Sequence, residues 1–454
     1  MTTSPPTQAT NSWPALWALV IGFFMILVDS TIVSVAMPDI QRAFDADYNT
    51  VIWVTSAYLL SYAVPLLITG RLGDRFGPKR VYLVGLAVFT ASSLWCGLTG
   101  SIEGLIAARV VQGLGASMMT PQTMTVITRT FPPTSRGKAM ALWGATAGVA
   151  TLVGPVLGGL LTASAGWEWI FIINVPVGIV GFVLAVRWVP ALETHAHRFD
   201  WLGVALSAVA MFAIVYGIQE HGPWWLVGGG LVVFAVFLRW QAINRAEPLL
   251  PLGLFADRNF MVSNVAIAMV SFAVTSLAFP AMLWAQNVRG MSPIEAGLLF
   301  IPMAIASVVF APIVGRRTDV VAPRVLTSFG FASAAACLVG LWAIVQLDGS
   351  LVWVLLALGG FGIGSAFLWA PIGATATRNL PMSAAGAGSG VYNATRQVGA
   401  VLGSAAIAAA IEWRVAARPE TIEGLGQGLA DSLLIPAAAL VAGLALAQLY
   451  RPSR

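Results

Sequence analysis

Long apolar runs alternate with short polar segments along the whole sequence. A helix that crosses a lipid bilayer needs roughly 20 predominantly apolar residues, and the pattern predicts fourteen such helices. The predicted spans are residues 15–37, 50–70, 81–99, 103–127, 139–163, 170–188, 201–219, 225–239, 260–284, 294–315, 325–346, 351–373, 387–411 and 432–450. No segment between them is long enough for a soluble domain. The expected fold class is therefore an all-α integral membrane protein.

The composition supports this prediction. Of the 454 residues, 58% are hydrophobic and 9% are charged, and the mean hydropathy is +0.83. So few charges cannot cover a water-facing surface, so lipid must surround most of the chain. The net charge of +5 does not indicate nucleic-acid binding, because the basic residues are spread among short loops rather than gathered on one face.

The basic residues also predict the orientation in the membrane. With the N-terminus in the cytoplasm and the spans alternating, 18 of the 24 Lys and Arg residues fall in cytoplasmic segments and 4 in outer loops. The other two, Arg109 and Arg396, lie inside predicted helices. This asymmetry follows the positive-inside rule. We therefore expect a plasma (inner) membrane protein with both termini in the cytoplasm.

The sequence carries no motif of an enzyme active site or a metal centre. Cys96 and Cys337 lie in different apolar runs and are expected to be packing residues. Gly137-Lys138 lacks the upstream glycine of a phosphate-binding loop, so ATP hydrolysis is not expected. The three histidines form no predicted metal cluster; they are His195, His197 and His221. We expect no metal and no cofactor.

A glycine-rich, charged segment, Gly70–Arg80, recurs later in the chain. A shift of 245 residues aligns its copies and also aligns two pairs of glycines in long apolar runs. The aligned pairs are Gly70 with Gly315, Asp74 with Asp319, Gly154 with Gly399, and Gly158 with Gly403. A shift of this size corresponds to eight predicted helices, which indicates six helices, two inserted helices and six more.

This plan divides the chain into four parts. Residues 1–14 are a predicted cytoplasmic tail, residues 15–188 a six-helix bundle, residues 201–239 the two inserted helices, and residues 260–450 a second six-helix bundle.

Five segments carry more specific motifs. They are the loop Gly70–Arg80, the fourth-helix segment Arg109–Gly115, the fifth-helix glycines from Gly148 to Gly159, the first-helix segment Asp29–Pro38 and the sixth-helix entry Trp167–Pro176. Together they resemble the motifs of the major facilitator superfamily, in its fourteen-helix drug:proton antiporter branch. Ser34 departs from the Asn common in the branch, and Glu168 from a basic residue.

The resemblance implies the major facilitator fold, with two six-helix bundles related by a pseudo-twofold axis. It implies a proton-coupled antiporter that exports amphipathic drugs or toxic compounds, cationic or lipophilic, by alternating access. The alternative is an exporter of one endogenous metabolite, lipid or siderophore. The expected partners are the substrate, protons and the bilayer, the energy source is the proton gradient, and a monomer is expected to suffice.

Asp29 is an acidic residue well inside an apolar run, where a charge costs about 2.5–3.5 kcal/mol on insertion scales. We interpret it as a proton-coupling carboxylate facing a central cavity; the alternative is a structural acid that binds a neighbouring helix. Arg109 shares a predicted helix face with Gln112. It is expected to face the same cavity and to respond to an acid such as Asp29, or else to lock helices together through backbone carbonyls.

Six residues are candidates for the cavity or for substrate contact. They are Thr31, Gln112, Trp53, Trp143, Asn393 and Arg396. The two tryptophans lie inside predicted helices and not at the helix ends, where an aromatic belt would explain them. Packing in the core is the alternative for both.

The repeated loop is expected to be a gating latch at the cytoplasmic face, with membrane topology alone as the alternative. Its residues are Gly70, Gly73, Asp74, Arg75, Gly77, Arg80 and, in the second copy, Asp319. The resemblance also marks an antiporter helix, which is expected to bend at its proline and to pack closely through its glycines. Its residues are Gly148, Gly154, Pro155, Gly158 and Gly159.

Overall fold

The computed structural model describes residues 12–46, 48–132, 135–194, 200–219, 224–244, 248–419 and 421–451. Within these ranges the chain forms eighteen α-helices, a few short 3₁₀ and π turns, and no strand. The prediction of an all-helical protein is confirmed. The three histidines and residues 1–11 of the predicted tail lie outside the described residues.

The helices fall into three groups along the chain. The first group is α1 (Ser12–Phe44), α2 (Tyr48–Ala63), α3 (Leu66–Phe76), α4 (Pro78–Leu98), α5 (Ile102–Thr130), α6 (Arg136–Ala165), α7 (Trp169–Ile172) and α8 (Asn174–Trp188). The second group is α9 (Trp201–Gln219) and α10 (Trp224–Ile243). The third group is α11 (Arg258–Leu283), α12 (Pro293–Leu298), α13 (Ile301–Thr318), α14 (Pro323–Gln346), α15 (Leu351–Arg378), α16 (Ala385–Ala416), α17 (Ile422–Ser432) and α18 (Leu434–Ala447).

Many of these helices are suited to a bilayer. Among the described residues, 11 helical segments are long and apolar enough to cross a membrane, or up to 12 if the bent pair α2 and α3 is one span. The protein is therefore a multi-pass membrane protein. Helices α5 and α6 cover the predicted spans 103–127 and 139–163 but are not among these segments. In α5 the cause is its polar content, which includes Arg109 and Gln112.

The predicted span 50–70 is not one straight helix. It is divided into α2 and α3, whose axes differ by 47°. Pro65 lies at the break, where it cannot donate a backbone hydrogen bond. Because α3 carries Gly70 and Asp74, this bend decides where the charged loop lies.

The last predicted span, 432–450, begins too late. The chain is helical from Ile422 to Ala447, apart from a short break at Leu433. Three glycines weaken the helical signal of α17, because glycine is a poor helix former. Thr421 stabilises its start by accepting a hydrogen bond from the Gly424 N–H group.

Glycines of α6 allow this helix to pack closely on α1. A Cβ atom on Gly154 would lie 1.9 Å from Thr31 Oγ1. A Cβ atom on Gly158 would lie 2.9 Å from the Ile32 carbonyl oxygen. The backbone of α6 is helical through position 155, but the side chain of Pro155 lies outside the described residues, so the bend there stays a prediction.

The aligned glycines of α16 play the same part against α11. A Cβ atom on Gly399 would lie 2.2 Å from the Ala268 carbonyl oxygen. A Cβ atom on Gly403 would lie 2.4 Å from the Phe272 carbonyl oxygen. The contact between α6 and α1 therefore recurs between α16 and α11, as the repeat in the sequence suggests.

The first and third groups meet along two seams. On one side α6 packs on α13 and α15, where a Cβ atom on Gly148 would lie 3.2 Å from Ser307 Cβ. On the other side α9 packs between α2 and α16. The apolar contacts there come from Met211 and Val215 of α9, Leu60 of α2 and Val401 of α16. Helix α9 of the second group thus covers the seam between α2 and α16.

We predict that Gly399→Ala destabilises the fold by about 1–3 kcal/mol, the range for overpacking a core. The added methyl group would meet backbone atoms of α11, which cannot move aside as a side chain can. Thermal unfolding of the detergent-purified protein measures the effect. The control is Gly340→Ala in α14, where nothing lies within 4 Å. An equal unfolding temperature for both variants would contradict the packing argument.

Candidate functional site

A buried ion pair lies among the helices of the first group. Asp29 of α1 and Arg109 of α5 are both 0% exposed. Arg109 Nη1 lies 2.5 Å from Asp29 Oδ2. An isolated charge is expensive in an apolar interior, and removing one partner leaves the other uncompensated. Each of these two side chains therefore needs the other to compensate its buried charge.

Neutral polar groups complete the hydrogen bonding of Asp29 Oδ1. Gln112 Nε2 donates to it at 2.9 Å, and Asn174 Nδ2 donates at 3.2 Å. The same two amides lie 3.1 and 3.0 Å from Ser93 Oγ, which donates to the Phe171 carbonyl oxygen. One buried network thus joins α1, α4, α5, α7 and α8.

Arg109 is held on its other side by α2. Its Nε donates to the Val54 carbonyl oxygen at 2.9 Å, and its guanidinium carbon lies 4.0 Å from the centre of the Tyr58 ring. Its Nη2 is buried without a hydrogen-bond partner among the described residues. The two interpretations left open by the sequence are both represented here, since Arg109 binds an acid and a backbone carbonyl.

Aromatic side chains continue from this pair toward the third group. The Tyr58 ring stacks on the Tyr62 ring with a centroid distance of 6.1 Å. The Tyr62 hydroxyl accepts a hydrogen bond from Arg396 Nη2 of α16 at 3.1 Å. A continuous set of contacts therefore links the buried pair to a residue of the other half of the chain.

A cavity of about 670 Å³ lies between the two halves. Its walls come from α1, α2, α11 and α16, with α9 and α10 contributing near one end. Along α16 the wall follows every fourth residue: Arg396, Ala400, Ser404, Ala408 and Glu412. The small residues leave the volume free, and a rise of about 1.5 Å per residue separates the two charged ends by about 24 Å. Glu412 and Trp224 are exposed, so the cavity opens at their end.

The expectation that Asp29 and Arg109 face this cavity is wrong for this conformation. Neither residue lines it, and both are 0% exposed. The next two residues of α1, Ser30 and Thr31, do line it. Because successive residues of a helix lie about 100° apart, the carboxylate points into the first group while its neighbours point to the cavity.

Of the six candidates for the cavity, Thr31 and Arg396 line it. Gln112 belongs to the ion-pair network. The remaining three do not line the cavity in this structure; they are Trp53, Trp143 and Asn393.

These three side chains pack against neighbouring helices instead. Trp53 lies 5.6 Å from the Tyr216 ring of α9, and Trp143 stacks on Phe23 at 4.8 Å. Asn393 is buried, and its Nδ2 donates to the Ser389 carbonyl oxygen of its own helix at 2.9 Å and lies 3.8 Å from Met124 Sδ of α5.

Sequence reasoning missed several polar residues of both sites. In the ion-pair network they are Ser93, Asn174 and Tyr58, and in the cavity they are Tyr62, Gln397 and Glu412. Most are uncharged and lie within apolar runs, so only their polarity in a membrane span could have marked them. Glu412 falls one residue beyond the predicted span 387–411, because α16 continues to Ala416.

At the end of the molecule opposite the cavity mouth, Asp74 joins the two halves. Its Oδ1 accepts a hydrogen bond from the Gly386 N–H group at 2.8 Å, and its Oδ2 accepts one from Ala387 at 2.9 Å. These amides belong to the first turn of α16, where a helix attracts negative charge. We call this end, marked by Asp74 and Gly386, the closed end.

Glycines bring the two backbones together at this contact. A Cβ atom on Gly70 would lie 2.5 Å from the Gly386 carbonyl oxygen. A Cβ atom on Gly386 would lie 2.4 Å from the Gly70 carbonyl oxygen. Neither position accepts a larger residue without separating α3 from α16.

The second copy of the loop makes the reverse contact. Asp319 Oδ1 accepts a hydrogen bond from the Gly137 N–H group in the first turn of α6 at 2.9 Å. A Cβ atom on Gly315 would lie 3.1 Å from the Gly137 carbonyl oxygen. Burial raises the pKa of Asp319 above its usual value, while the Gly137 hydrogen bond and the charges of Lys138 and Arg378 oppose the rise. Each half therefore binds the start of a helix in the other half.

The other residues of the loop Gly70–Arg80 have different surroundings. Gly77 has a φ of 90° between α3 and α4, which favours glycine. A Cβ atom on Gly73 would lie 1.9 Å from Gln122 Oε1 of α5. Arg75 and Arg80 are exposed, and their part in a latch stays a prediction.

Residues 19–404 match the sequence profile of the Major Facilitator Superfamily. The chain belongs to this superfamily. It is 51% identical over 416 residues to an uncharacterised MFS-type transporter of Mycobacterium tuberculosis, Rv1250, an alignment that covers 90% of this chain and 72% of that protein. It is 34% identical to the tetracenomycin C resistance and export protein of Streptomyces glaucescens, over 89% of this chain and 76% of that protein.

A solved structure of the same superfamily agrees with the fold. The proton:xylose symporter XylE, bound to 6-bromo-6-deoxy-D-glucose, superposes with a TM-score of 0.67 over 95% of both chains at 13% identity. This major facilitator protein is thus a transporter and not an enzyme. Its cavity between two halves is where such a protein would hold a small molecule.

We predict that Asp29→Asn and Arg109→Met each destabilise this transporter by about 3–5 kcal/mol, because each leaves a charged or polar partner buried without its counterpart. The double variant should lose less than the sum, since it leaves no uncompensated charge. Thermal unfolding in detergent gives the double-mutant cycle.

The control is the exposed pair of Arg289 with Asp348, where Asp348→Asn should change stability by less than about 1 kcal/mol. Additive losses from Asp29→Asn and Arg109→Met would contradict the pairing.

We predict that Asp74→Asn opens the closed end more often. The asparagine would present an NH₂ group to one of the two backbone N–H donors, so one hydrogen bond would be lost. Loss of a hydrogen bond to a charged group corresponds to roughly a tenfold change in the equilibrium between the closed and the open end. A maleimide reacting with Ser389→Cys, which is buried four residues into α16, reports the opening in a Cys96→Ser, Cys337→Ser background.

The labelling rate should rise about tenfold in Asp74→Asn. Arg80→Gln serves as the control, because it removes a charge from the same loop at an exposed position. If both variants are labelled at the same rate, the contact does not hold the end closed.

Proposed function

We propose that this protein is a proton-coupled antiporter that exports amphipathic small molecules, drugs or toxic compounds among them, across the plasma (inner) membrane. It works by alternating access between two bundles, residues 15–188 and 260–450, with residues 201–239 as two inserted helices. A 6+2+6 plan of fourteen spans is part of this proposal, and it is supported if α5, α6 and the bent pair α2 and α3 are counted with the 11 apolar segments.

The observation that carries the proposal is the position of the Asp29–Arg109 pair beside the cavity. Asp29 is covalently next to Ser30, which lines the cavity, although the carboxylate itself is fully buried. A transporter needs a titratable group whose charge state changes which conformation is preferred. A buried carboxylate on the helix that lines the cavity fits that requirement.

Coupling follows from the cost of separating the pair. A proton on Asp29 would remove the negative charge and leave Arg109 uncompensated among apolar and aromatic groups, which is strongly unfavourable. The protonated state therefore favours a rearrangement in which Arg109 finds water or another acceptor. Val54, Tyr58 and Gln112 hold Arg109 in the present arrangement, so α2 and α5 would be the first helices to respond.

The closed end supplies the gate in this proposal. The positive-inside rule supports a cytoplasmic position for that end and for both termini, and in that orientation the cavity faces outward in this conformation. Releasing Asp74 from α16 and Asp319 from α6 would open the cytoplasmic side. The proton gradient supplies the energy, no cofactor is required, and one chain contains both bundles, so a monomer suffices.

A second candidate, the export of one specific metabolite, keeps the same fold and coupling. Support for it comes from the name of the Streptomyces relative, which refers to a single compound. A drug-susceptibility panel separates the two candidates. Cells that express a multidrug exporter should tolerate several unrelated compounds better, whereas cells that express a dedicated exporter should tolerate only one compound better.

We predict that purified protein in liposomes moves the dye rhodamine B when a pH gradient is applied, and that an uncoupler abolishes the flux. Asp29→Asn should reduce the gradient-driven flux at least about tenfold, because removing a side chain that transfers protons usually has an effect of this order or larger. Asp348→Asn, an exposed carboxylate outside the cavity, is the control. Undiminished flux through Asp29→Asn would refute the assignment of the coupling residue.

A further inference from the structure

Arg396 differs from the other buried arginines of this protein. It is 9% exposed and lines the cavity, yet no carboxylate of a described residue pairs with it. Arg109, in contrast, is paired with Asp29. Arg136 is compensated by three backbone carbonyl oxygens, those of Phe131, Thr377 and Thr128.

The hydrogen bonding of Arg396 is incomplete. Its Nη2 donates to the Tyr62 hydroxyl at 3.1 Å, and its Nε is buried with no partner among the described residues. The Tyr62 hydroxyl is already engaged with Thr120 Oγ1 at 3.1 Å. A guanidinium has five N–H donors, so this site has more donors than the protein satisfies.

Arg396 also has no counter-charge beside it in the described part of the cavity wall: its guanidinium carbon lies 6.0 Å from the centre of the Trp143 ring, a contact that supplies no negative charge. Neutral polar residues share the cavity wall with it and include Gln397, Ser404 and Thr31. Among the described residues of the cavity wall, the one acidic residue is Glu412, which lies about four helical turns away, at about 24 Å along α16. Glu412 is exposed, so water and salt screen its charge from Arg396.

We propose that Arg396, with Tyr62 beside it, is a binding site for a carboxylate or equivalent anionic oxygen of the transported molecule. A guanidinium binds a carboxylate through two parallel N–H donors, which matches the donors that are unpaired here. A buried cation in a membrane protein needs either a counter-charge or enough hydrogen-bond acceptors, as Arg136 has, and at Arg396 the ligand would supply both. The apolar and small residues toward Glu412 would hold the remainder of the molecule.

This inference deepens the proposed function, since it rests on the cavity being the substrate site. It also revises the expected substrate class, because a cationic amphiphile would meet the positive charge of Arg396 at the floor of the cavity. A molecule with an anionic oxygen and a lipophilic body fits the cavity better than a cation does. Its anionic oxygen would bind at Arg396, and its lipophilic body would lie along the small residues of α16.

The test compares two dyes that differ in one group: rhodamine B, which carries a free carboxylate, and its ethyl ester. Binding to purified protein in detergent is measured by fluorescence polarisation. The wild-type protein should bind the acid at least about tenfold more tightly than the ester, the order expected of a charge-assisted hydrogen bond. Arg396→Gln should weaken binding of the acid about tenfold and leave binding of the ester within about twofold.

Two further variants keep the result interpretable. Arg396→Lys retains the charge and should restore part of the preference for the acid, but not all of it, because lysine lacks the fork. Arg414→Gln removes a charge from the same helix outside the cavity and should change neither affinity. Size-exclusion chromatography and unchanged ester binding confirm that Arg396→Gln is folded.

The inference is overturned if the wild-type protein shows no saturable binding of rhodamine B, if acid and ester bind equally, or if Arg396→Gln weakens both alike. Its failure is distinguishable from failure of the proposed function. A lost acid preference with intact dye flux refutes only the inference. An acid preference that depends on Arg396, without gradient-driven flux, refutes only the transport proposal.

Discussion

The pairing of Asp29 with Arg109 is the interaction on which the arrangement of the first bundle depends. Two opposite charges lie in a lipid-embedded interior, and neither is exposed. Such charges are tolerated when each compensates the other and neutral polar groups satisfy their remaining hydrogen-bonding positions. Here the donors come from α5 and α8, the backbone carbonyl from α2, and the second acceptor from α4. Any change in the charge of Asp29 is therefore felt by several helices at once.

The second constraint comes from the proposed alternating access, in which two bundles must meet and separate repeatedly. At the closed end, three hydrogen bonds join the two halves. The Asp74 carboxylate accepts two of them from backbone amides of α16, and the Asp319 carboxylate accepts one from a backbone amide of α6. Glycines remove side chains from the points where Gly70 meets Gly386 and Gly315 meets Gly137, so the two backbones approach closely there. Apolar residues of both halves share the surrounding core, so opening this end would separate packed side chains as well as these hydrogen bonds.

Much of the fold follows from the sequence, because apolar runs and loop charges reflect the bilayer directly. The break at Pro65 was not predicted, since a proline in a membrane helix does not always divide it. Helix α17 was missed because its three glycines hide its helical character. The repeat was visible as an offset, but an offset aligns the copies without revealing which helix each one touches.

The candidate site was predictable only where it is charged. Asp29 and Arg109 stand out in apolar runs, whereas Asn174 and Ser93 do not, although they contact the same carboxylate network. The side of α1 that faces the cavity could not be assigned either. Asp29, Ser30 and Thr31 are adjacent in sequence, and only the folded helix shows that their side chains point in different directions. Arg396 was visible as a charge, but its lack of a counter-charge is a property of the folded chain.

The central claim is that protonation of Asp29 is coupled to the closed end. Electron–electron distance measurements between spin labels on Phe76→Cys and Val320→Cys, exposed positions in the two halves, report that end directly. The distance distribution should shift with pH in the wild-type protein and become independent of pH in Asp29→Asn. Asp431→Asn, which alters another buried carboxylate paired with an arginine, should retain the shift. The same pH dependence in Asp29→Asn as in the wild-type protein would contradict the claim.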